Sequence, residues 1–462
     1  MFGWSALVGA FLGGSLLAWA IQGQTPSHLQ LAVCLLTSLA WMLARADASV
    51  VALLGATALA GVSLLDPATA ARPLVHLGDD TTVLIIAAFI LAKAVERSGL
   101  AHAIADRLTG DRGRAAYGRL ATGVFATTFL IPSTAARAGV LVPLVDRAKS
   151  RIAGPRGRPA VALMAPLVVV LGAFASPVAA GANLLAIQIL AAHGGASLSF
   201  VDWTLLAVPF AVVMVASAVA AAWWVAPSTD TAPPAPPGAE AAAASEPAPA
   251  RARIQVAGVL ALVVALWSTA AWHPVDPMLV AVLAAVLVTL PNVGVLTLQE
   301  GLKSVDWPLV VLLAGATYIS DALARNPLVA EAVSALETVI GGVDGAWTGP
   351  VVLAALALTA MLSHVAITSR SARAALLLPP ALAIGGAAGV DPAVMALTIA
   401  SATGFCILTP VGSKALVIFA GSDRQAFSRA ALARTGLLLL PVQFALTLLF
   451  ALLVWPHLLG VT

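Results

Sequence analysis

Two short stretches of this chain carry groups that could hold an anion. They are Ser133-Thr-Ala-Ala-Arg137-Ala-Gly-Val-Leu-Val-Pro143 and Ser369-Arg-Ser-Ala-Arg373-Ala-Ala-Leu-Leu-Leu-Pro379. Serine falls on serine, Arg137 on Arg373 and Pro143 on Pro379 at one offset of 236 (369 − 133). Each puts hydroxyls and a guanidinium into apolar sequence. A guanidinium offers a rigid fork that matches carboxylate or sulfate oxygens, and a newly started helix adds free N–H groups and the positive end of its dipole. A polar interruption at matching places in two apolar halves is the best sequence pointer to a transporter's binding site. Arginine inside a membrane segment is costly and functional by default. Arg137, Arg370 and Arg373 are therefore read as anion-facing, and Lys414, in Thr409-Pro410-Val411-Gly412-Ser413-Lys414, joins them. His364 could titrate or simply pack.

These groups sit in a membrane protein. Of 462 residues, 60% are hydrophobic and 10% charged, against about 25% charged in soluble domains. Many apolar runs reach the roughly 20 residues that a span requires. The first run lacks a basic leader and a small-residue cleavage site, and is read as a span. The two cysteines, Cys34 and Cys406, lie in apolar runs and read as small core residues.

Taken in order, plain spans are expected at about 4–21, 28–45 and 48–66. A fourth run ends in Lys93-Ala-Val-Glu96-Arg97, followed by a polar surface helix. Residues 115–148 enter apolar, meet Pro132-Ser133-Thr134 and turn apolar again. Either half alone is short for about 30 Å at about 1.5 Å per residue, so a hairpin that reaches the midplane and returns is expected. The run 160–192 is broken at Ser176-Pro177 and Gly181-Ala-Asn183, and a span at 203–225 closes the half. Residues 227–253 are Pro/Ala-rich and read as a disordered linker. The same order then recurs: spans at 254–272, 275–293 and 306–324, a surface helix, a hairpin at 348–384, a run broken at Thr409-Pro410, and a last span. The domains are thus an N-terminal membrane half, 1–226, the linker, and a C-terminal half, 254–462.

Charge placement orients these elements. With the N-terminus cytoplasmic and both hairpins re-entrant, seventeen of the 24 Lys and Arg fall on the cytoplasmic side and only Arg72 and Arg325 outside. Lys93, Arg137, Arg370, Arg373 and Lys414 stay within or beside the membrane segments. The first hairpin then opens inward and the second outward. The fold class is all-α integral membrane: two inverted repeats, about eleven transmembrane helices and two re-entrant hairpins.

The sequence resembles the divalent anion:sodium symporters, the di- and tricarboxylate and sulfate carriers. The resemblance rests on Ser133 and Ser369 at the hairpin tips, the closing Pro143 and Pro379, Ser176-Pro177-Val178 with Asn183, Thr409-Pro410-Val411-Gly412-Ser413, and Ala92-Lys-Ala-Val-Glu96-Arg-Ser-Gly-Leu100. It covers nearly the whole chain except the linker. In that family a Ser-Asn-Thr stands at each tip, and Asn, Thr and unwound carbonyls hold sodium and the substrate's carboxylates. Here the motif Asn becomes Thr134 and Arg370, the Thr becomes Ala135 and Ser371, and a Pro-Pro-Asn becomes Lys414-Ala-Leu416. Family members that exchange anions without sodium carry fixed positive side chains where sodium would sit, and Arg370 and Lys414 look like that substitution. Asn183 can donate to substrate or satisfy unwound backbone; the resemblance assigns it to substrate. The resemblance also implies a homodimer whose protomers each move by an elevator-like step.

The expected function is secondary transport of a small divalent organic anion, dicarboxylate-like, by sodium-independent exchange. A sodium-coupled dicarboxylate or sulfate symporter is the alternative, and a non-transporting ligand sensor a second one. The expected substrate-binding set is Ser133, Thr134, Arg137, Asn183, Ser369, Arg370, Ser371, Arg373, Thr409 and Lys414. No cofactor or metal is expected, with sodium the ion in question. The expected partners are a small anion, the bilayer and a second copy, not nucleic acid, in a membrane of the bacterial inner-membrane type. No Asp or Glu falls in 121–145, 160–192 or 359–383, and no metalloprotease or nucleophile-elbow motif occurs, which counts against an enzyme.

Overall fold

The computed structural model describes residues 26–43, 48–63, 78, 80–100, 114–131, 133–151, 156–193, 198–226, 250–269, 273, 275–291, 294–328, 331, 334–335, 338, 347–365, 367, 369–421 and 427–461. The expected span at 4–21, the surface helix after Leu100 and most of the linker lie outside these residues, as does most of the second surface helix. Among the described residues every regular element is helical. The chain is a multi-pass membrane protein in composition and in these helices. Five of them are long and apolar enough to cross a bilayer by themselves: Gly157–Ala175, Phe200–Val225, Ala250–Trp267, Thr348–Val365 and Arg429–Leu459.

The first half contains α1 (Pro26–Leu43), α2 (Ala48–Ser63) and α3 (Asp80–Arg97). A broken pair follows: α4 (Arg114–Ala126) with a 3₁₀ turn at Thr127–Phe129, then α5 (Thr134–Arg151). Next, α6 (Gly157–Leu171) loosens into 3₁₀ turns at Gly172–Ala175 and Pro177–Ala179 before α7 (Gly181–Ala192) and the long α8 (Phe200–Val225). The second half has α9 (Ala250–Ser268), α10 (Pro277–Thr289), the short α11 (Leu298–Lys303) and α12 (Trp307–Ala324). Its broken pair is α13 (Thr348–Leu362), a 3₁₀ turn at Ser363–Val365, and α14 (Arg370–Ala387). Then come α15 (Pro392–Thr403), a 3₁₀ turn at Pro410–Gly412, α16 (Lys414–Gly421), α17 (Arg429–Leu449) and, past a π turn at Phe450–Val454, α18 (Trp455–Leu459).

The offset seen in sequence is also the offset of the elements. Thr127 and Ser363 open the 3₁₀ turns, and Thr134 and Arg370 open the second arms, both pairs 236 positions apart. One boundary differs from the sequence reading. Helix α9 begins at Ala250, inside the stretch assigned to the linker, because Ala-Arg-Ala-Arg is good helix-forming sequence once the prolines stop.

Packing exchanges partners between halves. The second arm α5 lies against α6 of its own half and α16 of the other, while α14 lies against α15 of its own half and α7 of the other. Helix α7 also meets α12, which packs on α2. In lipid, helices associate through close van der Waals contact at small residues rather than through water exclusion. Gly315 does this: a Cβ there would lie 3.0 Å from that of Ala52 on α2. An aromatic cluster ties the first broken helix to its surroundings. Phe174 meets Trp203 at 5.4 Å and Phe210 at 5.2 Å, and Phe210 meets Phe450 at 5.4 Å, each edge-on; such pairs contribute about 0.5–1.5 kcal/mol each. The Trp203 indole donates to the carbonyl of Phe174 (2.9 Å), covering a group that the broken helix leaves open.

At a surface the halves are joined by charge. Thr297 caps α11, its backbone N–H donates to Glu300 (2.8 Å), and Glu300 pairs with Arg97 at the end of α3. These contacts, the Thr297 backbone first, hold the Glu300 carboxyl down at about 2.

Candidate functional site

The candidate site is built from the two breaks that precede α5 and α14, called the first and second tips, and from two broken helices. At the first tip, Ser133 has φ +75°, the one positive φ outside glycine among the described residues. That left-handed turn is costly for serine. It turns the chain into α5, and the Ser133 N–H donates to the Val178 carbonyl (3.3 Å) in the unwound part of the first broken helix. Ser133 and Thr134 are partly exposed there.

One turn on, Arg137 is fully buried. Its Nη1 donates to Thr128 Oγ1 in the 3₁₀ turn of the opposing arm. Its Nη2 donates to the carbonyls of Val169 (3.1 Å) and Ala179 (3.3 Å). Only Nε is without a partner. Arg137 thus staples both arms of its hairpin to carbonyls freed by the broken helix. Asn183 has a similar task, since its amide donates to Ala173 O (2.8 Å) and Ser176 O (2.9 Å). Those bonds satisfy unwound backbone, one of the two roles open to it from its type alone. The buried Ser176 hydroxyl beside it has no partner.

The second tip is arranged differently. Ser369 is an N-cap, its hydroxyl accepting from Ala372 N–H (3.2 Å). Arg370, partly buried at the start of α14, reaches across to the other half: Nη2 donates to Asn183 Oδ1 (3.1 Å) and to Ala400 O (3.4 Å). Gly404 makes room, because a Cβ there would lie 3.1 Å from Nη2. Nε and Nη1 of Arg370 are unbonded. Ser371 presses against the first half at Gly181, where a Cβ would lie 2.8 Å from Ser371 Oγ and 2.5 Å from a Leu309 methyl.

Arg373 is fully buried, like Arg137, yet makes one geometric hydrogen bond, Nη1 to Phe405 O (3.2 Å), with the Cys406 thiol beside the guanidinium and Nε and Nη2 without a hydrogen bond. Among the described residues no carboxylate pairs with Arg137, Arg370 or Arg373. Thr409 and Lys414 flank the second break and are exposed; Lys414 begins α16.

The sequence-derived set therefore divides. Arg370 and Asn183 are brought into contact, Ser371 sits beside Gly181, and Arg137 and Asn183 are spent on backbone. Thr128 and Gly181 were not singled out for the site, although the offset of 236 already pairs Thr128 with His364. His364 is buried, donates from Nδ1 to Met361 O (2.6 Å), and rests edge-on against Phe405 at 5.6 Å. Among the described residues no group of three or more His, Cys, Asp or Glu side chains could hold a metal ion.

The motif order has a counterpart in known proteins. A family profile, the sodium:sulfate symporter transmembrane region, matches residues 16–461. The chain belongs to the sodium:sulfate symporter family. The resemblance drawn from the tips and broken helices is thereby borne out, and the chain is a secondary transporter of that divalent anion and sulfate type. One relative is the uncharacterized transporter YfbS of Escherichia coli (strain K12), 32% identical over 132 residues, which are 28% of this chain and 20% of the relative. The match thus spans about one fifth of that protein's length. Among solved structures, the YdaH transporter of Alcanivorax borkumensis superposes with a TM-score of 0.56 at 13% identity, over 95% of this chain and 99% of that one. At that identity the likeness is one of fold.

Proposed function

We propose that this protein carries a small divalent organic anion, dicarboxylate-like, across the membrane by alternating access, as a sodium-independent exchanger. One observation carries the reading: the guanidinium of Arg370 lies between the start of α14 and the first broken helix, bonded to the amide oxygen of Asn183 and to the carbonyl of Ala400 in the last turn of α15. An amide oxygen and carbonyls are the hard oxygen donors that an alkali ion would use, so a fixed cation there does the ion's electrostatic work without the ion. Lys414 adds a second fixed charge at the other broken helix. With no counter-ion among the described residues, these fixed charges favour a loaded over an empty site inside a low-dielectric membrane, which suits exchange.

In this reading the substrate lies between the tips, with hydroxyls of Ser133, Thr134 and Ser371 and the exposed Thr409 completing the donor set. The hairpins are re-entrant, the halves inverted, the N-terminus cytoplasmic in a bacterial inner-membrane type of bilayer, and the working unit a homodimer. The second reading is a sodium-coupled symporter of a dicarboxylate or sulfate. The family's own description favours it, and carbonyls at both breaks could still hold sodium.

Counterflow in proteoliposomes tests the pair. Vesicles are loaded with unlabelled succinate, malate or sulfate, and labelled succinate is added with or without sodium. Uptake that needs internal anion and ignores sodium is expected. Uptake into empty vesicles driven by a sodium gradient would overturn the exchanger. The double substitution Arg370→Asn, Lys414→Pro is expected to raise sodium dependence.

A further inference from the structure

We infer that the Nε–Nη2 edge of Arg373 is a buried oxyanion-holding fork, and that its counterpart Arg137 is a structural staple. The inference rests on the reading of this protein as an anion carrier, and it places the anion's bidentate contact on one half only. A guanidinium presents Nε–H and one Nη2 hydrogen side by side, the edge that a carboxylate or sulfate takes with two parallel bonds. Among the three arginines, only Arg373 has that edge whole. In Arg137 the Nη2 is committed to two carbonyls. In Arg370 the Nη2 is committed to Asn183 and Ala400, and its two open nitrogens, Nε and Nη1, belong to different edges. In Arg373 Nη1 is used on Phe405 O, and the buried Cys406 thiol, an uncharged neighbour, lies beside the guanidinium without closing a hydrogen bond to Nε or Nη2.

The difference has a local cause. Arg137 donates to the hydroxyl of Thr128, nine residues upstream. The residue nine upstream of Arg373 is His364, whose Nδ1–H is turned to its own helix at Met361 O, and whose Nε2 is also unbonded. No hydroxyl stands there to draw the guanidinium into the first-half pattern. Arg373 is fully buried and makes no ion pair among the described residues. A buried cation with two open donors on one edge is unfavourable unless an anion supplies the missing bonds. The ligand class is an oxyanion with two adjacent oxygens, either the substrate's terminal carboxylate or a free inorganic oxyanion.

Thermal unfolding of the purified full chain in detergent tests this with succinate, sulfate and chloride as probes. The wild type is expected to be stabilised by an oxyanion in a dose-dependent way, and far less by chloride. Arg373→Lys keeps the charge but loses the edge, and is expected to raise the half-effective concentration about tenfold or more. Arg137→Lys is expected to lower the basal Tm and leave that concentration near the wild-type value. His364→Thr installs the first-half hydroxyl and is expected to weaken the oxyanion effect; it decides the matter should Arg373→Lys not fold. A wild-type oxyanion midpoint in Arg373→Lys, or in His364→Thr, would overturn the fork, as would the absence of any oxyanion effect on the wild type. A response to sulfate alone, lost in Arg373→Lys, would uphold the fork as an inorganic oxyanion site and remove the dicarboxylate reading. Wild-type transport of succinate with an unaltered Arg373→Lys would do the reverse.

Discussion

Arg137 and Arg373 hold the same place in α5 and α14, each helix following a 3₁₀ turn at the same offset, and the fold treats them differently. The first is bonded to three groups from three segments; the second has one bond and an open edge. The tips differ in the same sense. Thr134 brings no charge to the first, whereas Arg370 carries the second across to Asn183 in the other half. Two stretches that match residue by residue at an offset of 236 make different contacts, one guanidinium bonded to the structure around it and the other left with open donors. Repeated residues in a repeated motif are thus not evidence of repeated roles.

The comparison can be broken at several points. Arg370→Ala should cost the most in anion binding, about 2–5 kcal/mol, because it removes the cation between the tip and the first broken helix. Titration calorimetry with succinate checks this; unchanged affinity would take Arg370 out of the site. Arg137→Met should lower stability by about 1–3 kcal/mol for each buried acceptor left open, and Arg373→Met by much less, since only Phe405 O loses a partner. Equal losses in Tm would erase the distinction between the two arginines.

Asn183→Leu copies Leu416, its counterpart in the second half, and uncovers Ala173 O and Ser176 O. About 1–3 kcal/mol of stability should be lost, with Arg370 losing an acceptor as well. Gly181→Ala sharpens the asymmetry from the other side. Lys414 stands at the matching position of α16, where a long side chain is accommodated, but even a methyl group at 181 meets Ser371 and Leu309. Transport should fall about tenfold if the close approach belongs to the working cycle, while Lys414→Ala leaves the backbone contacts intact.

The smallest effect should come from Glu300→Gln at the surface joint. The Glu300 carboxyl is depressed, so its contribution is fully present above about 4.5, its unperturbed value, and is lost as pH falls toward about 2. The Tm difference between the variant and the wild type should narrow over that interval. A difference independent of pH there would mean that the Arg97 and Thr297 contacts do not act through the ionised carboxylate.

Much of the framework was legible in sequence because it depends on local signals. The break at Ser176-Pro177 follows from a proline that ends a helix by conformation and by its missing N–H. The second arms begin at the residues that the offset of 236 predicts. The contact between Arg370 and Asn183 was half legible: both residues stood in the expected set, but nothing in their spacing of 187 positions pairs them. The distinction between Arg137 and Arg373 was not legible at all. It depends on which unwound carbonyls come within reach of a guanidinium, and packing across the two halves decides that. Thr128 and His364 carry the nearest trace of it, since one offers a hydroxyl to the arginine and the other is engaged by its own helix.

The most direct test of the central claim, that fixed cations replace the coupling ion, is the affinity for succinate measured by calorimetry in sodium and in choline buffers otherwise identical. The account predicts the same dissociation constant in both, together with loss of binding in Arg370→Ala. Binding that tightens with sodium in the wild type would contradict it, and would make Arg370 a companion to a bound ion rather than its substitute.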